Sequence, residues 1–293
     1  MAIYNLGSIN IDHFYRLPHL VRPGETLAAD NYSQGLGGKG ANQSVAIAKS
    51  ENQVFHIGAL NRADSHYFEQ LKSYHIDLTH TQQLDYPSGH GIVMVDEVSG
   101  ENQIVVYPGA NHQISESMID NALADANPGD WALTQNETTQ ARYFFQTAKS
   151  KGLKLCYSAA PFVAETTIEL LPMIDMLVVN QIEAQELETA TGKPIAALGI
   201  EHTLITQGSA GVRYIGKQGE LFIEAPKVSA VDTTGAGDTF LGLFLGRFDA
   251  GSSIEESIKY AVSGAALQVM QQGTADAIPD HSSILEMLQK SFS

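Results

Sequence analysis

Apolar and polar positions alternate in short runs through the first third of the chain, and strand-like and helix-like patterns take turns after it. Ala2 to Ile9 predicts a strand that runs into Gly7-Ser8-Ile9-Asn10-Ile11-Asp12, where a period of two puts Asn10 and Asp12 on one face. His13 to Gln34, broken by Arg22-Pro23-Gly24-Glu25, predicts a hairpin; His90 to Val95 and Asn102 to Tyr107, joined through Val98-Ser99-Gly100, predict a second. Both hairpins hold few core-forming residues, so they suit a small sheet apart from the main one. Val54 to Leu60 reads as a buried strand, Ala63 to Tyr74 as an amphipathic helix and Glu116 to Ala124 as another helix. From Trp131 the pattern becomes strand (Trp131 to Thr134), helix (Ala141 to Lys149), strand (Leu153 to Tyr157), strand (Met176 to Val179) and helix (Glu183 to Thr191), then a strand at Leu204. Such alternation predicts parallel βαβ units of an α/β fold, with ligands beyond the carboxyl ends of the strands, where Glu137, Asn180 and the turn after Thr206 fall. Ile254 to Met270 and Ser283 to Lys290 close the chain as helices. No repeat or linker divides it, so residues 1–293 read as one domain with lid hairpins near 13–34 and 90–107.

Charge narrows the partners. A net charge of −16 and a pI near 4.9 argue against nucleic acid and anionic membrane surfaces, which need clustered Lys and Arg. An anionic substrate remains open if backbone amides and a divalent cation supply the neutralisation. The lone cysteine, Cys156, sits in a predicted buried strand and reads as inert core. The first residues lack a basic region followed by a long apolar run, and no apolar stretch reaches the ~18 residues of a membrane span, so a cytoplasmic protein is expected.

Three stretches carry candidate chemistry. In Val231-Asp232-Thr233-Thr234-Gly235-Ala236-Gly237-Asp238-Thr239-Phe240, small residues lead into helical spacing at Phe240, Leu243, Phe244 and Arg247, predicting a tight turn that opens a helix. Unpaired N–H groups at such a start form an anion site, and Asp238 within it reads either as a general base or as a carboxylate favouring the first turn. Gly35 to Gln43 satisfies a dinucleotide fingerprint on paper, but a hairpin separates it from the first strand, and Gly40 stands where a Walker loop needs Ser or Thr. It suits a small polar ligand faced by Lys39 and Asn42. Asn180 with Glu183 reads as a capping box, compatible with holding the hydration shell of magnesium.

Gly37-Gly38-Lys39-Gly40-Ala41-Asn42-Gln43 and Asp232 to Phe240 resemble the two signatures of the ribokinase-like (pfkB) carbohydrate kinases. Weaker matches follow in order at Gly7 to Asp12, Gly100 to Asn102, Gly109 to Asn111, Asn180 to Glu183 and Thr206 to Gly211, so the likeness spans nearly the whole chain. The resemblance implies a three-layer α/β/α fold with a small β-sheet lid. It also implies transfer of the γ-phosphate of ATP, with Mg2+, to a sugar hydroxyl. Asp238 would be the base and Gly235, Ala236 and Gly237 the anion hole; Asn10, Asp12, Gly38, Lys39, Asn42 and Glu137 would meet the sugar. Asn180, Thr206, Gly208, Ser209, Gly211 and Gly237 would bind ATP, with Glu183 holding magnesium through water. Carbonyls around Asp232, Thr234, Gln268, Gln271 and Gly273 would enclose K+, with Ala277 where the family often offers a serine.

The chain departs from the family pattern at Ser158-Ala159-Ala160-Pro161, in the short segment between Thr191 and Thr203, and at Leu60 to Asp64. Lys39 is the only cation in the implied sugar set, against the carboxylates of Asp12 and Glu137, which favours a neutral sugar. D-ribose, phosphorylated at its 5-hydroxyl, is the first expectation, with another pentose, a ketohexose, a nucleoside or a sugar phosphate as alternatives. Hairpins with so little core of their own predict a homodimer joined through the lids.

Overall fold

The structure, a computed structural model, describes every residue except 100, 218 and 293. Gly100, which the sequence puts in the turn of the second hairpin, lies outside the described residues. The first half runs β1 (Ile3–Leu6), β2 (Asn10–Leu17), β3 (Asn31–Gly37), α1 (Lys39–Lys49), β4 (Val54–Asn61), α2 (Ser65–Ser73), β5 (Thr81–Leu84), β6 (Gly89–Asp96), β7 (Asn102–Tyr107) and α3 (Glu116–Ala122). It continues with β8 (Trp131–Thr134), α4 (Ala141–Ser150), β9 (Lys154–Ser158), α5 (Ala164–Leu170), β10 (Met176–Asn180) and α6 (Gln181–Thr191). The remainder is β11 (His202–Thr206), β12 (Val212–Gly216), β13 (Gly219–Ile223), α7 (Ala236–Asp249), α8 (Ile254–Gln268) and α9 (His281–Phe292).

Among the described residues nine strands form one sheet in the order β13-β12-β11-β10-β9-β8-β1-β4-β5, all running one way except β12, which lies antiparallel between β11 and β13. Alternation along β1 sends Ile3 into one core and Tyr4 and Leu6 into the other. The Ile3 face is covered by α1, α7 and α8 through residues such as Val45, Phe244 and Ile258; the Leu6 face by α3, α4 and α6 through Ile119, Phe144 and Leu187. These are the three layers that the resemblance implies. A second sheet, β3-β2-β6-β7, pairs β2 with β6 in parallel and carries an antiparallel partner on each side.

The structure corrects the expected strand over Ala2 to Ile9: it ends at Leu6, and Asn10 opens a strand of the second sheet. Gly7 meets Gly40 of α1 backbone to backbone, and the Ser8 carbonyl accepts from Ala41 N–H at 2.9 Å, so the chain leaves the main ladder to serve a helix start. The first hairpin accordingly reaches wider than expected, with Asn10 opposite Gly37. Lys39 and Asn42 lie in the first turn of α1, not in a loop before it. Between Thr191 and Thr203 only a short 3-10 turn, Ile195–Ala197, is formed. Strands β5 and β13 and helix α5 lie outside the elements expected from the sequence.

Helices α1 and α7 approach closely. Gly242 and Gly246, one turn apart on α7, face Ala46, the Gln43 carbonyl and Ser50 at distances that leave no room for a Cβ. This contact fixes the spacing of the two helices whose starts carry the glycine motifs. Among the described residues no helix is long and apolar enough to cross a membrane.

Candidate active site

Helix α7 begins after Gly235, whose φ of 76° is in the left-handed region that glycine tolerates. Ala236 N–H is taken by the Thr233 carbonyl at 3.2 Å, while the N–H groups of Gly237 and Asp238 are in the first turn and have no intrahelical acceptor. The two residues face different surroundings. Gly237 lines a cavity of ≈ 540 Å³, whereas the Asp238 side chain is buried against α1, where Gln43 Nε2 donates to its Oδ1 at 2.8 Å and Asn42 Nδ2 lies 3.4 Å from its Oδ2. Burial pushes the Asp238 carboxyl up, and the Lys39 ammonium and the Gln43 amide act against that rise. The Lys39 ammonium is itself held up, chiefly by Asp238 and then by Glu137 and Glu183. Asn42 Oδ1 is buried without a partner among the described residues, an acceptor available to a ligand hydroxyl.

Glu137 stands at the start of α1. Its Oε2 accepts from Lys39 N–H at 3.0 Å and from the Ser8 hydroxyl. Asn10 is held by Asn111, whose Nδ2 donates to Asn10 Oδ1 at 2.8 Å and whose Oδ1 accepts from Ile9 N–H at 2.9 Å. The Asp12 carboxyl sits between Gly37 and Gly91 of the neighbouring strands. Burial, and next the Glu137 carboxylate, push it up to about 6. Asn10, Asp12, Gly38, Lys39, Asn42, Glu137 and Asp238 therefore converge between the second sheet and the starts of α1 and α7.

The cavity contains Thr206, Gly208, Ser209 and Gly211 of the expected nucleotide set. Pro226, Val228, Phe240, Val262, Ala266 and Val269 give it apolar walls that suit a planar base, and Lys227 and Thr233 add polar groups to the lining. Asn180 is not among the lining residues; with Glu183 it forms the capping box of α6, Asn180 Oδ1 accepting from Ile182 and Glu183 N–H and Glu183 Oε2 accepting from Asn180 N–H. Burial raises Glu183, and the Asn180 N–H and the Lys39 ammonium oppose it.

Behind the α7 turn, Asp232 accepts from Thr234 N–H at 2.9 Å and from Gly273 N–H at 3.1 Å. Gln268 Nε2 donates to the Thr234 carbonyl at 2.8 Å and the Gly273 carbonyl at 3.3 Å, and Gln268 Oε1 is buried without a partner among the described residues. Two carbonyls converge here beside an unpaired amide oxygen. Gln271 continues the same segment, its N–H donating to the Gln268 carbonyl.

A family model, pfkB family carbohydrate kinase, matches residues 3–281. The chain belongs to the pfkB family of carbohydrate kinases. It is 34% identical to the ribokinase of Haemophilus influenzae, covering 97% of each chain, and 28% identical to the deoxyribokinase of Salmonella typhimurium, covering 98% of this chain and 99% of that one. The Arabidopsis thaliana ribokinase structure, complexed with ribose and ATP, superposes with a TM-score of 0.83 at 27% identity, covering 100% of this chain and 98% of that one. The convergence described above is thus the candidate active site of a carbohydrate kinase. Sequence reasoning did not single out Ser8, Gln43, Asn111 or Gln135 for a role. Ser8 falls in the Gly7 to Asp12 match, Asn111 in the Gly109 to Asn111 match and Gln43 within the first signature, while nothing pointed near Gln135.

Proposed function

We propose that this kinase transfers the γ-phosphate of ATP to the 5-hydroxyl of D-ribose. The observation that carries the reading is the division at the start of α7: Gly237 faces the apolar cavity while the next residue, Asp238, is buried among the polar groups of α1. Nucleotide would fill the cavity with its phosphates toward the free N–H groups, and the acceptor sugar would lie on the Asp238 side. Asp238 takes the proton of the hydroxyl as its oxygen attacks phosphorus. In the turn of Gly235, Ala236 and Gly237 the Ala236 N–H is already held by the Thr233 carbonyl, so the Gly237 N–H, with that of Asp238, stabilises the charge on the moving phosphoryl group, and the Lys39 ammonium adds fixed positive charge nearby. Asn10, Asp12, Gly38, Asn42 and Glu137 orient the sugar through its hydroxyls. Two carboxylates that already disfavour each other, Asp12 and Glu137, suit a neutral acceptor better than a sugar phosphate. Likeness to the ribokinases supports ribose within that class.

Thr206, Gly208, Ser209 and Gly211 hold the nucleotide with Asn180 at its rim. Glu183 would hold magnesium through water, the ion neutralising the phosphates. The carbonyls of Asp232, Thr234, Gln268, Gln271 and Gly273 would hold potassium and stiffen the turn; the converging Thr234 and Gly273 carbonyls and the unpaired Gln268 oxygen fit a cation. Equal rates in potassium and in a large organic cation would remove that site from the scheme. The outer strand β7 is exposed along its length, with Ile104, Val105 and Val106 between 57% and 58% accessible, which supports a homodimer joined through the lids. A monomeric mass by light scattering at micromolar concentration would overturn it. We place the reaction in the cytoplasm.

The test of the acceptor is kcat/KM for ribose against 2-deoxyribose, fructose, adenosine and fructose 6-phosphate. Ribose is expected to lead. A lead for the phosphorylated sugar would refute the electrostatic argument, and a lead for any other neutral acceptor would refute only the choice of ribose.

A further inference from the structure

The Asp238 carboxylate ends a chain of buried side chains that runs between α1 and the sheet to His56 on β4. Gln43, Gln135, Asn5, Ser44 and His56 are each 0% exposed. Gln43 Nε2 donates to Asp238 Oδ1 at 2.8 Å, and its Oε1 accepts from Gln135 Nε2 at 2.7 Å. The same Gln135 nitrogen donates to Asn5 Oδ1 at 2.9 Å, Asn5 Nδ2 donates to Ser44 Oγ at 2.9 Å, and Ser44 Oγ lies 2.9 Å from His56 Nδ1. Burial holds His56 down to about 4, so its ring is neutral at working pH. Which of Ser44 and His56 donates in this last pair depends on the ring tautomer, since the Ser44 hydroxyl can accept twice.

The amides nearest Asp238 fix one another's direction. Both Gln135 N–H groups are committed, one to Asn5 and one to Gln43. Gln43 therefore cannot turn its amide round, because its oxygen would then face the Asp238 carboxylate and its N–H groups would face a donor. We infer that Gln43, oriented by Gln135, is a positioning residue that holds the Asp238 carboxylate by Oδ1 and leaves Oδ2 to take the proton of the acceptor hydroxyl. Among the described residues the one hydrogen bond to Oδ2 is that from Asn42, at 3.4 Å. Both amides are fully buried and act through Asp238. This inference rests on Asp238 being the base.

The test uses the full chain with Gln43→Met, Gln135→Met and the double variant, which keep side-chain volume and remove the polarity. Each single variant is expected to lower kcat by about 10–100-fold, the usual effect of a lost outer partner, with KM for ATP unchanged. Removing a donor to the charged form raises the carboxyl, so the acidic limb of the kcat profile moves to higher pH by about one unit. Because Gln135 acts through Gln43, the double variant should be no slower than Gln43→Met. A packing role moves neither the limb nor this non-additivity. Unshifted limbs in folded variants, or losses that multiply, would overturn the inference. Should Gln135→Met not fold, the limb of Gln43→Met decides alone. Asp238→Asn separates the two claims: if it turns over normally the base assignment fails, whereas a slow Asp238→Asn beside unshifted glutamine variants sinks only the amide chain.

Discussion

Helices α1 and α7 both open on a glycine with positive φ, 94° at Gly38 and 76° at Gly235, and both carry a glycine-rich motif. Their N–H groups meet opposite fates. At α1, Lys39 N–H goes to Glu137, Gly40 N–H to the Ser8 hydroxyl at 3.3 Å, Ala41 N–H to the Ser8 carbonyl and Asn42 N–H to the Gly38 carbonyl. The positive end of α1 already has its anion, the carboxylate of Glu137, supplied by the protein itself. At α7 the Gly237 and Asp238 N–H groups are left to a ligand. A glycine-rich helix start therefore becomes a phosphate site only where the rest of the chain declines to fill it, and that depends on residues far away in sequence.

The largest effect expected from testing this contrast is at the open start. Asp238→Asn should fold with an unchanged thermal midpoint and lower kcat by about 10²–10⁴, the usual worth of a general base; near-normal turnover would remove the base from α7. At the closed start, a Cβ on Gly40 would overlap the backbone of Gly7 and Ser8. Gly40→Ala should therefore cost about 3 kcal/mol or more of stability, read as a fall in thermal midpoint, and an unchanged midpoint would mean that α1 is not closed in this way. Gly237→Ala is the counterpart, since nothing lies within 4 Å of the added atom. Its midpoint should hold or rise, by up to about 1 kcal/mol in stability, while kcat falls about 10-fold as the methyl crowds the phosphate. Parent-like turnover in that variant would show that phosphate does not approach this turn.

The smallest effect concerns Asp12, pushed up to about 6. As the carboxylate it accepts hydrogen bonds from sugar hydroxyls, so KM for the sugar should rise about tenfold between pH 7 and pH 5 as it protonates. The stability of the free protein follows the opposite sign. A carboxyl raised on folding contributes stability below its unfolded value of about 4 and loses it as pH rises through about 6. Asp12→Asn should flatten both dependences, and a KM profile as steep as the parent's would assign the titration to another group.

Much of this was legible in the chain. The strand and helix alternation from Trp131 gave the parallel core, because those strands are buried on both faces and read as unbroken apolar runs. Asp238 stood out because a carboxylate inside an anion-binding turn needs a reason. The break after Leu6 did not show, since the apolar alternation continues through Ile9 and Ile11 while the cause, Gly40, lies in another element. Gln43 and Gln135 were silent for a related reason: a buried amide has no periodic signature, and its partner is 92 residues away. The apolar wall at Pro226 and Val228 sits in a connection without secondary structure, so no period marked it.

The packing of α7 against α1 also sets an order in time. Asn42 and Asp238 are 196 residues apart, yet they touch. A ribosome delivers α1, the lid and the strands beneath them first, and the helix that holds the base only after them. Until α7 has been made and packed, one face of the sheet lies open and no group is there to draw off the proton, so the ability to spend ATP waits on a segment far from the glycine motif it completes.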